Sequence, residues 1–168
     1  MKQQSTIIYE AKAVINDITT TLSQINTIAK KTTSTIVLFN ARKIAGYSHI
    51  YSAILHAKRS YTSKKPISRT LAMEILLYAS GQRQCSLALK FGLHKGKNVL
   101  FVVIIDGKGT KAQELLNEII LPEKHGVHAS QAVLMKDFGI TKEELQVVGK
   151  NRIDELIIER IALVDVYK

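Results

Sequence analysis

Basic residues alternate with tyrosine, glutamine and small residues in two stretches of the chain that could bind a polyanion. The first is Lys58-Arg59-Ser60-Tyr61, and the second is Tyr78-Ala79-Ser80-Gly81-Gln82-Arg83-Gln84. An arginine side chain pairs bidentately with phosphate and stacks on bases, while a glutamine can hydrogen-bond to base edges. A Ser-Gly turn adds backbone N–H donors for an anion. Together these residue types favour an unpaired nucleic-acid end, whose bases are splayed and accessible.

The positive charge of the chain is concentrated in one third of its sequence. The net charge is +10 over 168 residues. Residues 40–97 hold eleven Lys and Arg residues against one acid, Glu74, so this segment accounts for the whole excess. A concentrated positive field attracts polyanions and is sensitive to salt. Because a charge that serves solubility alone would be spread more evenly, the segment favours nucleic-acid binding over a merely solvated basic surface.

Three residues of the basic segment could have either a functional or a purely structural role. Glu74 could be a catalytic carboxylate, but an internal counter-ion that holds an arginine in place is favoured. Cys85 would need a nearby base and an exposed, electropositive setting to act as a nucleophile, and its place in a predicted helix favours small core filler instead. Tyr78 could contact a base or pack in the core, and both interpretations stay open. An enzyme that uses Glu74 or Cys85 on a phosphorylated small molecule is therefore a second hypothesis.

The other clusters of polar residues do not have the spacing of a metal-binding or cofactor-binding site. The segment Asp106-Gly107-Lys108-Gly109-Thr110-Lys111 follows a strand and precedes a helix, but it lacks the Walker spacing and predicts a tight turn. His125 and His128 lie three apart with only Glu123 nearby, so solvated loop histidines are favoured over a zinc site. His49 and His56 share one helix face and could line a phosphate-binding surface, although packing at the edge of the core is favoured.

The elements that must position these residues follow from hydrophobic periodicity. Strands are predicted at 6–14, 35–39 and 99–105, and the last, which is apolar throughout, should be central in its sheet. Helices are predicted at 17–31 (capped by Asn16 or Asp17), 43–61, 69–80 (capped by Ser68 and ended by Gly81), 82–91, 111–121, 130–138 (ended by Gly139) and 152–163. The sequence Thr141-Lys142-Glu143-Glu144 matches a capping box that opens a further short helix. This pattern predicts an α/β fold, a small central mixed sheet covered by helices in a single domain over residues 1–168. Ile153, Leu156, Ile157, Arg160 and Ile161 could form an exposed patch, but core packing is favoured.

Composition places further bounds on the chain. Apolar residues make up 46% of the sequence, enough for a packed core. The one cysteine excludes an internal disulfide and fits a reducing compartment. The longest apolar run, Val99–Ile105, is far shorter than the roughly 20 residues of a membrane helix, and residues 1–6 carry no secretory pattern. We expect a cytoplasmic protein that contacts no membrane and is monomeric by itself.

Two motifs in the basic segment resemble a known family. They are Ile44-Ala45-Gly46-Tyr47-Ser48-His49-Ile50 with Ala57-Lys58-Arg59, and Glu74-Ile75-Leu76-Leu77-Tyr78-Ala79-Ser80-Gly81-Gln82-Arg83-Gln84. Both are similar to the PRPK-binding protein (TPRKB-like) family, whose members are small subunits of the KEOPS, or EKC, complex. The likeness is strongest over residues 40–105, and the order and length of the elements fit the whole chain. Cys85 departs from the pattern, which has an aliphatic residue there.

The resemblance implies a single α/β domain without catalytic activity, cofactor or metal. It implies two partners, the atypical Ser/Thr kinase subunit of the complex and the single-stranded 3′ CCA end of tRNA. Through the kinase the chain would meet the threonylcarbamoyl-transferase subunit indirectly. The tRNA-binding role falls on two pieces and their neighbours, with the residues Lys58, Arg59, Ile75, Tyr78, Ser80, Gly81, Arg83 and Gln84. We expect Lys58, Arg59, Arg83 and Gln84 to converge on one exposed groove; the kinase-binding face is not predicted.

A third hypothesis uses the same basic segment without RNA. The chain could be a pure protein-interaction module that regulates the kinase and meets an acidic partner with its basic face. A gel shift with tRNA alone would separate this hypothesis from the first.

Overall fold

The computed structural model describes residues 5–167, which form two compact units. The first unit contains the sheet and combines residues up to Asn40 with Gly92–Val127. The second unit is helical and combines Ala41–Phe91 with the residues from His128 onward. The single domain expected over residues 1–168 stays a prediction.

Four antiparallel strands form the sheet of the first unit. They are β1 (Thr6–Ile15), β2 (Thr35–Asn40), β3 (Gly96–Ile105) and β4 (Leu121–Pro122), in the order β2-β3-β1-β4. In register, Ile8 and Val37 both face Val103 of β3, from opposite sides. The predicted α/β class is confirmed, but the prediction of a mixed sheet is wrong, because every described strand pair is antiparallel.

The central position of β3 explains its unbroken apolar sequence. Residues 100–105 are all buried, as expected for a strand between two neighbours with both faces covered. One face packs on the helices α1 (Ile18–Thr32) and α5 (Gly109–Leu116). The predicted cap of α1 is confirmed, because the Asp17 carboxylate accepts a hydrogen bond from the Thr20 N–H. The core here consists of residues such as Ile25, Ile36, Leu38, Leu100, Val102, Ile104 and Leu116.

The turn between β3 and α5 is the tight turn that its sequence predicts. Asp106 and Gly107 both take left-handed backbone conformations, with φ of 59° and 61°. The turn packs against the end of α1, where the Thr32 carbonyl accepts from the Lys108 N–H at 2.8 Å. A Cβ on Gly107 would lie 2.2 Å from the Thr33 carbonyl oxygen, so this close approach requires glycine.

Two predictions for the first unit are wrong. The helix expected over residues 111–121 ends at Leu116, and Leu121–Pro122 pairs with β1 as a short edge strand, a position that tolerates proline. His125 is not solvated, because its side chain is 2% exposed. Its Nε2 bonds to the Leu100 carbonyl at 2.9 Å, and its ring packs edge-on against Phe101.

The second unit consists of helices and two 3₁₀ turns. The helices are α2 (Tyr47–Thr62), α3 (Leu71–Ser80), α4 (Cys85–Ala88), α6 (Gln131–Phe138), α7 (Lys142–Val148) and α8 (Ile153–Val166). The turns are Ala41–Lys43 and Leu89–Phe91. Gly81 and Gly139 end their helices in left-handed conformations as predicted, and Thr141 with Glu144 forms the predicted capping box.

Boundaries in the second unit differ where local hydrogen bonds decide them. The cap of α3 is Thr70 and not Ser68, because the Ser68 hydroxyl bonds to Glu74 and the Thr70 carbonyl instead. The predicted helix over residues 82–91 is one short α-helix followed by a 3₁₀ turn. Core packing of α8 is confirmed, since Leu156, Ile157 and Ile161 are buried.

Within residues 5–167, the structure has no helix long and apolar enough to cross a membrane. Over the same residues, no three His, Cys, Asp or Glu side chains group closely enough to hold a metal ion.

Candidate functional site

A surface cavity of about 330 Å³ lies in the helical unit beside the turn that follows α3. This volume is at the lower end of the range of small-ligand sites. Three parts of the chain meet there: the turn 80–83, the end of α6 at 137–139, and the last turns of α8. The α8 residues at the cavity are Arg160, Leu163, Val164 and, just past the helix, Tyr167.

Gly81 shapes the wall of the cavity that comes from α3. Its φ of 64° is left-handed, and its N–H bonds back to the carbonyls of Leu77 and Tyr78. A Cβ at this position would come within 3.3 Å of the Phe138 ring. Glycine therefore lets the chain reverse and lets the turn lie directly on Phe138.

Phe138 is held in place by two other rings. His49 packs edge-on against it at 5.6 Å between ring centroids, and Phe91 does so at 6.0 Å. Such perpendicular arrangements place a positive ring edge on a negative ring face. The aromatic cluster therefore gives the cavity a fixed base, because Phe138 itself is 8% exposed.

His49 links this cluster to both α2 and α3. Its Nδ1 accepts from the Ala45 N–H at 3.0 Å, so Nε2 carries the proton and donates to the Ala79 carbonyl at 2.7 Å. Burial lowers the pKa of His49 from 6.5 to about 4, although the bond to the Ala79 carbonyl acts in the opposite direction. The packing role favoured from the sequence is confirmed, since the His49 side chain is fully buried.

Because His49 is buried and neutral, we expect the protein to lose stability in mild acid. The unfolded chain takes up a proton near pH 6.5, while the folded chain resists it until about pH 4. The stability that the neutral, buried His49 contributes is therefore fully present above pH 6.5. The free energy of unfolding then falls by about 3 kcal/mol in total as the pH decreases towards 4. Urea unfolding at pH 7.5 and 5 measures it. In His49→Gln the pH dependence should shrink relative to wild type, and an unchanged dependence would contradict the assignment.

The last turn of α8 is tied to α2 and α3 by a polar network. The Tyr78 hydroxyl donates to Oδ1 of Asp165, and His56 Nδ1 lies 2.9 Å from Oδ2. The His56 ring also stacks on the Tyr78 ring at 5.7 Å. These contacts hold Asp165 in place. They thereby position Val164, which precedes it, and Tyr167, two residues after it, at the cavity.

Charges around the cavity leave one arginine available for a ligand. Arg160 bonds to Glu144 at 2.6 Å and to the Phe138 carbonyl, and this contact holds the pKa of Glu144 below its usual range. Asp137 pairs with Lys43 at 3.0 Å. Arg83 is exposed and forms no ion pair with any described residue.

The cavity can therefore offer two kinds of contact to one ligand. The Arg83 guanidinium can pair with a phosphate, and Tyr167, which is 62% exposed, can stack on a base. Sequence reasoning missed Tyr167, Phe138 and Arg160. Nothing in the sequence links them to the turn 80–83, because only the packing of α8 on α3 and of α6 on α8 brings them there.

The cavity brings together only some of the residues predicted to bind tRNA. Ser80, Gly81 and Arg83 line it, whereas Lys58, Arg59 and Gln84 do not. The side chains of Ile75 and Tyr78 in α3, and that of Ser80 in the turn itself, are fully buried. The tRNA-binding assignment of all eight residues stays a prediction.

Antiparallel packing of α2 and α3 explains the separation. His49, near the start of α2, contacts Ala79 near the end of α3, while Ser60 near the end of α2 contacts Glu74. Lys58 and Arg59 therefore lie towards the beginning of α3, and Arg83 follows its end. Ten residues of helix span about 15 Å.

The structure corrects two further predictions in the basic segment. Glu74 is internal as expected, but the groups that it binds are serine hydroxyls and backbone N–H groups, and no arginine of the described part of the chain is among them. Cys85 is exposed at the start of α4 and is not core filler, because the short helix turns its first residue to the surface.

Comparison with known proteins finds one family and one curated relative. A family model described as "Kinase binding protein CGI-121" matches residues 12–165. A protein of Methanocaldococcus jannaschii named "Regulatory protein Cgi121" is 30% identical over 131 residues. That match covers 78% of this chain and 83% of the relative.

Proposed function

Because the chain belongs to the CGI-121 family of kinase-binding proteins, we propose that it is a non-catalytic subunit with two partners. It binds the atypical Ser/Thr kinase of the KEOPS, or EKC, complex, and it recruits tRNA through the 3′ CCA end. The transferase subunit, held by the kinase, then forms threonylcarbamoyl-adenosine on that tRNA. We propose that the protein carries out this role in the cytoplasm.

The observation that carries the tRNA part is the exposed, unpaired Arg83 at a cavity whose other rim is Tyr167. A single-stranded end needs a cation for its phosphates and an aromatic face for its bases. The surplus of ten positive charges in residues 40–97 supplies the long-range attraction.

Removing the 3′ CCA from tRNA tests end recognition directly. We expect the intact tRNA to bind at least tenfold more tightly than the truncated tRNA at the same salt concentration, since stacking is worth about 1–3 kcal/mol per base. Filter binding or fluorescence anisotropy measures both affinities. Equal affinities would contradict end recognition and leave only general polyanion binding.

An exposed ridge on α2 supports the proposal that the chain binds a kinase. The same ridge also fits the alternative, in which the chain is a protein-interaction module without RNA contact. Tyr47, Tyr51 and Leu55 recur every four residues on one helix face and are 46%, 55% and 57% exposed. Aromatic residues are enriched in protein interfaces relative to other surfaces.

Placing a charge on this ridge should weaken the kinase complex. We expect Leu55→Glu to lower the affinity for the kinase subunit about tenfold or more, because the carboxylate would be desolvated in the interface. Leu89→Glu is the matched control, since Leu89 is 48% exposed but lies in the 3₁₀ turn after α4. Calorimetry with the purified kinase measures both variants. Equal effects of the two would place the kinase elsewhere.

A further inference from the structure

Glu74, the one acid of the basic segment, binds the loop between α2 and α3 from inside. Its carboxylate is fully buried and accepts hydrogen bonds from the N–H groups of Ile67 and Ser68 at 2.8–3.1 Å. The hydroxyls of Ser60 and Ser68 donate to it at 2.9 and 2.8 Å. A buried carboxylate needs such donors to offset its lost hydration. This acid therefore fixes the loop backbone through neutral donors, and it forms no ion pair with a cation among residues 5–167.

The loop that Glu74 fixes carries three exposed cations within six residues. Lys64, Lys65 and Arg69 point to the surface, and none forms an ion pair with a described residue. Lys64 has a left-handed φ of 58°, a conformation that a non-glycine residue keeps only when its surroundings impose it.

Further bonds hold the same loop in one shape. The Lys65 N–H donates to the Ser60 carbonyl at 3.1 Å, and the Ser60 hydroxyl, which shares its one proton between Glu74 and the loop, lies 3.0 Å from the Lys65 carbonyl. The Tyr61 hydroxyl donates to the Ser68 carbonyl at 3.1 Å. These bonds fix the backbone from which the three cations extend, and like charges gathered on one loop create a local positive potential that attracts an anion.

A second cavity connects Arg69 of this loop with the chain that follows Arg83. This cavity of about 400 Å³ is lined by Arg69, Met73 and Cys85, among others. Along the chain only Gln84 separates Arg83, at the first cavity, from Cys85, at the second. Two residues span at most about 7 Å, a distance of about two nucleotide rises in a helical strand.

We propose that residues 64–69 are a second phosphate-binding segment, which contacts the RNA backbone upstream of the 3′ end and which Glu74 holds in its binding shape. This inference deepens the proposed function and rests on it for the identity of the RNA. Glu74 is thus a positioning residue and does not touch the RNA.

The test compares three RNAs: intact tRNA, tRNA without its 3′ CCA, and a short single-stranded oligonucleotide that ends in CCA. The variant Lys64→Gln/Lys65→Gln/Arg69→Gln should bind intact tRNA about tenfold more weakly. Its slope of log affinity against log salt should fall by about two, since each lost contact removes roughly 0.7–0.9. Residual binding of the truncated tRNA should fall with it, while binding of the oligonucleotide stays within twofold of wild type.

A matched control removes the same charge elsewhere in the basic segment. Lys90→Gln/Lys95→Gln/Lys97→Gln changes three exposed lysines and should lower tRNA affinity less than threefold. Equal losses from both triple variants, or a loop variant that weakens the oligonucleotide as much as the tRNA, would overturn the proposal. Failure of end recognition alone would look different, because the oligonucleotide would then not bind wild type at all.

Glu74→Gln separates positioning from simple attraction. This change makes the protein more positive by one charge, so attraction alone would leave tRNA binding equal or tighter. Because an amide N–H₂ would face the loop N–H groups, we expect the loop to shift and intact tRNA to bind about fivefold more weakly, with oligonucleotide binding unchanged. Circular dichroism shows whether the variant is folded. Binding of tRNA by folded Glu74→Gln that equals or exceeds wild type would overturn the role of Glu74.

Discussion

Replacing Arg83 with glutamate is expected to lower the affinity for intact tRNA by about tenfold to a hundredfold at physiological salt. A charge-assisted hydrogen bond contributes about 1.5–3 kcal/mol, and the new carboxylate also repels the phosphate. The slope of log affinity against log salt should flatten by about one, as expected for one lost phosphate contact. The fold should not change, because Arg83 is exposed and has no ion-pair partner among residues 5–167.

The matched control for Arg83→Glu is Lys142→Glu. Lys142 is an exposed residue at the start of α7, where an acid suits the helix dipole, and its substitution changes the net charge by the same amount. Anisotropy with labelled tRNA over a salt series measures both variants. If Lys142→Glu lowers the affinity as much as Arg83→Glu does, net charge and not the cavity governs binding, and the site assignment is wrong.

Replacing Gly107 with alanine is expected to destabilise the protein by about 3 kcal/mol or more, a large share of the 5–15 kcal/mol typical of folded proteins. The new Cβ would lie 2.2 Å from the Thr33 carbonyl oxygen and 2.4 Å from that of Thr32. Both atoms belong to backbone that the end of α1 holds in place, so relief requires the turn to move away from the helix.

Gly126→Ala separates the clash from the cost of a left-handed backbone. Gly126 has nearly the same φ, 63° against 61°, but nothing lies within 4 Å of its added Cβ. We therefore expect only about 1 kcal/mol of destabilisation there, from the left-handed conformation itself. Urea unfolding of both variants at pH 7.5 gives the difference. Equal losses would mean that the turn adapts and that the close approach to Thr33 is not a constraint.

Local features of the fold could be predicted because their causes lie within a few residues. The cap at Asp17, the capping box of Thr141 and Glu144, and the glycine end of α3 each depend on neighbours at most four positions away. The buried strand β3 was predictable from its apolar run alone. The boundaries of α3 and α5 were not, because side-chain bonds of Ser68 and the pairing of Leu121 with β1 decided them.

Several residues were assigned the wrong environment for the same reason. Cys85 reaches the surface because the helix expected over 82–91 forms only one turn there. His125 is buried because a carbonyl of β3, twenty-five residues earlier, is available to it. Glu74 was correctly expected inside, but its partners lie in a loop whose shape the sequence does not reveal.

The sequence by itself determined the class of the fold, the family, and the segment that holds the surplus charge. These depend on composition, periodicity and short motifs, which are properties of neighbouring residues. Tertiary structure alone decided that Arg83 shares a cavity with Tyr167 while Lys58 and Arg59 lie towards the other end of α3. The physical reason is that side chains far apart in the chain meet only through helix packing, and the packing of α8 on α3 and of α6 on α8 leaves no local signal in the sequence.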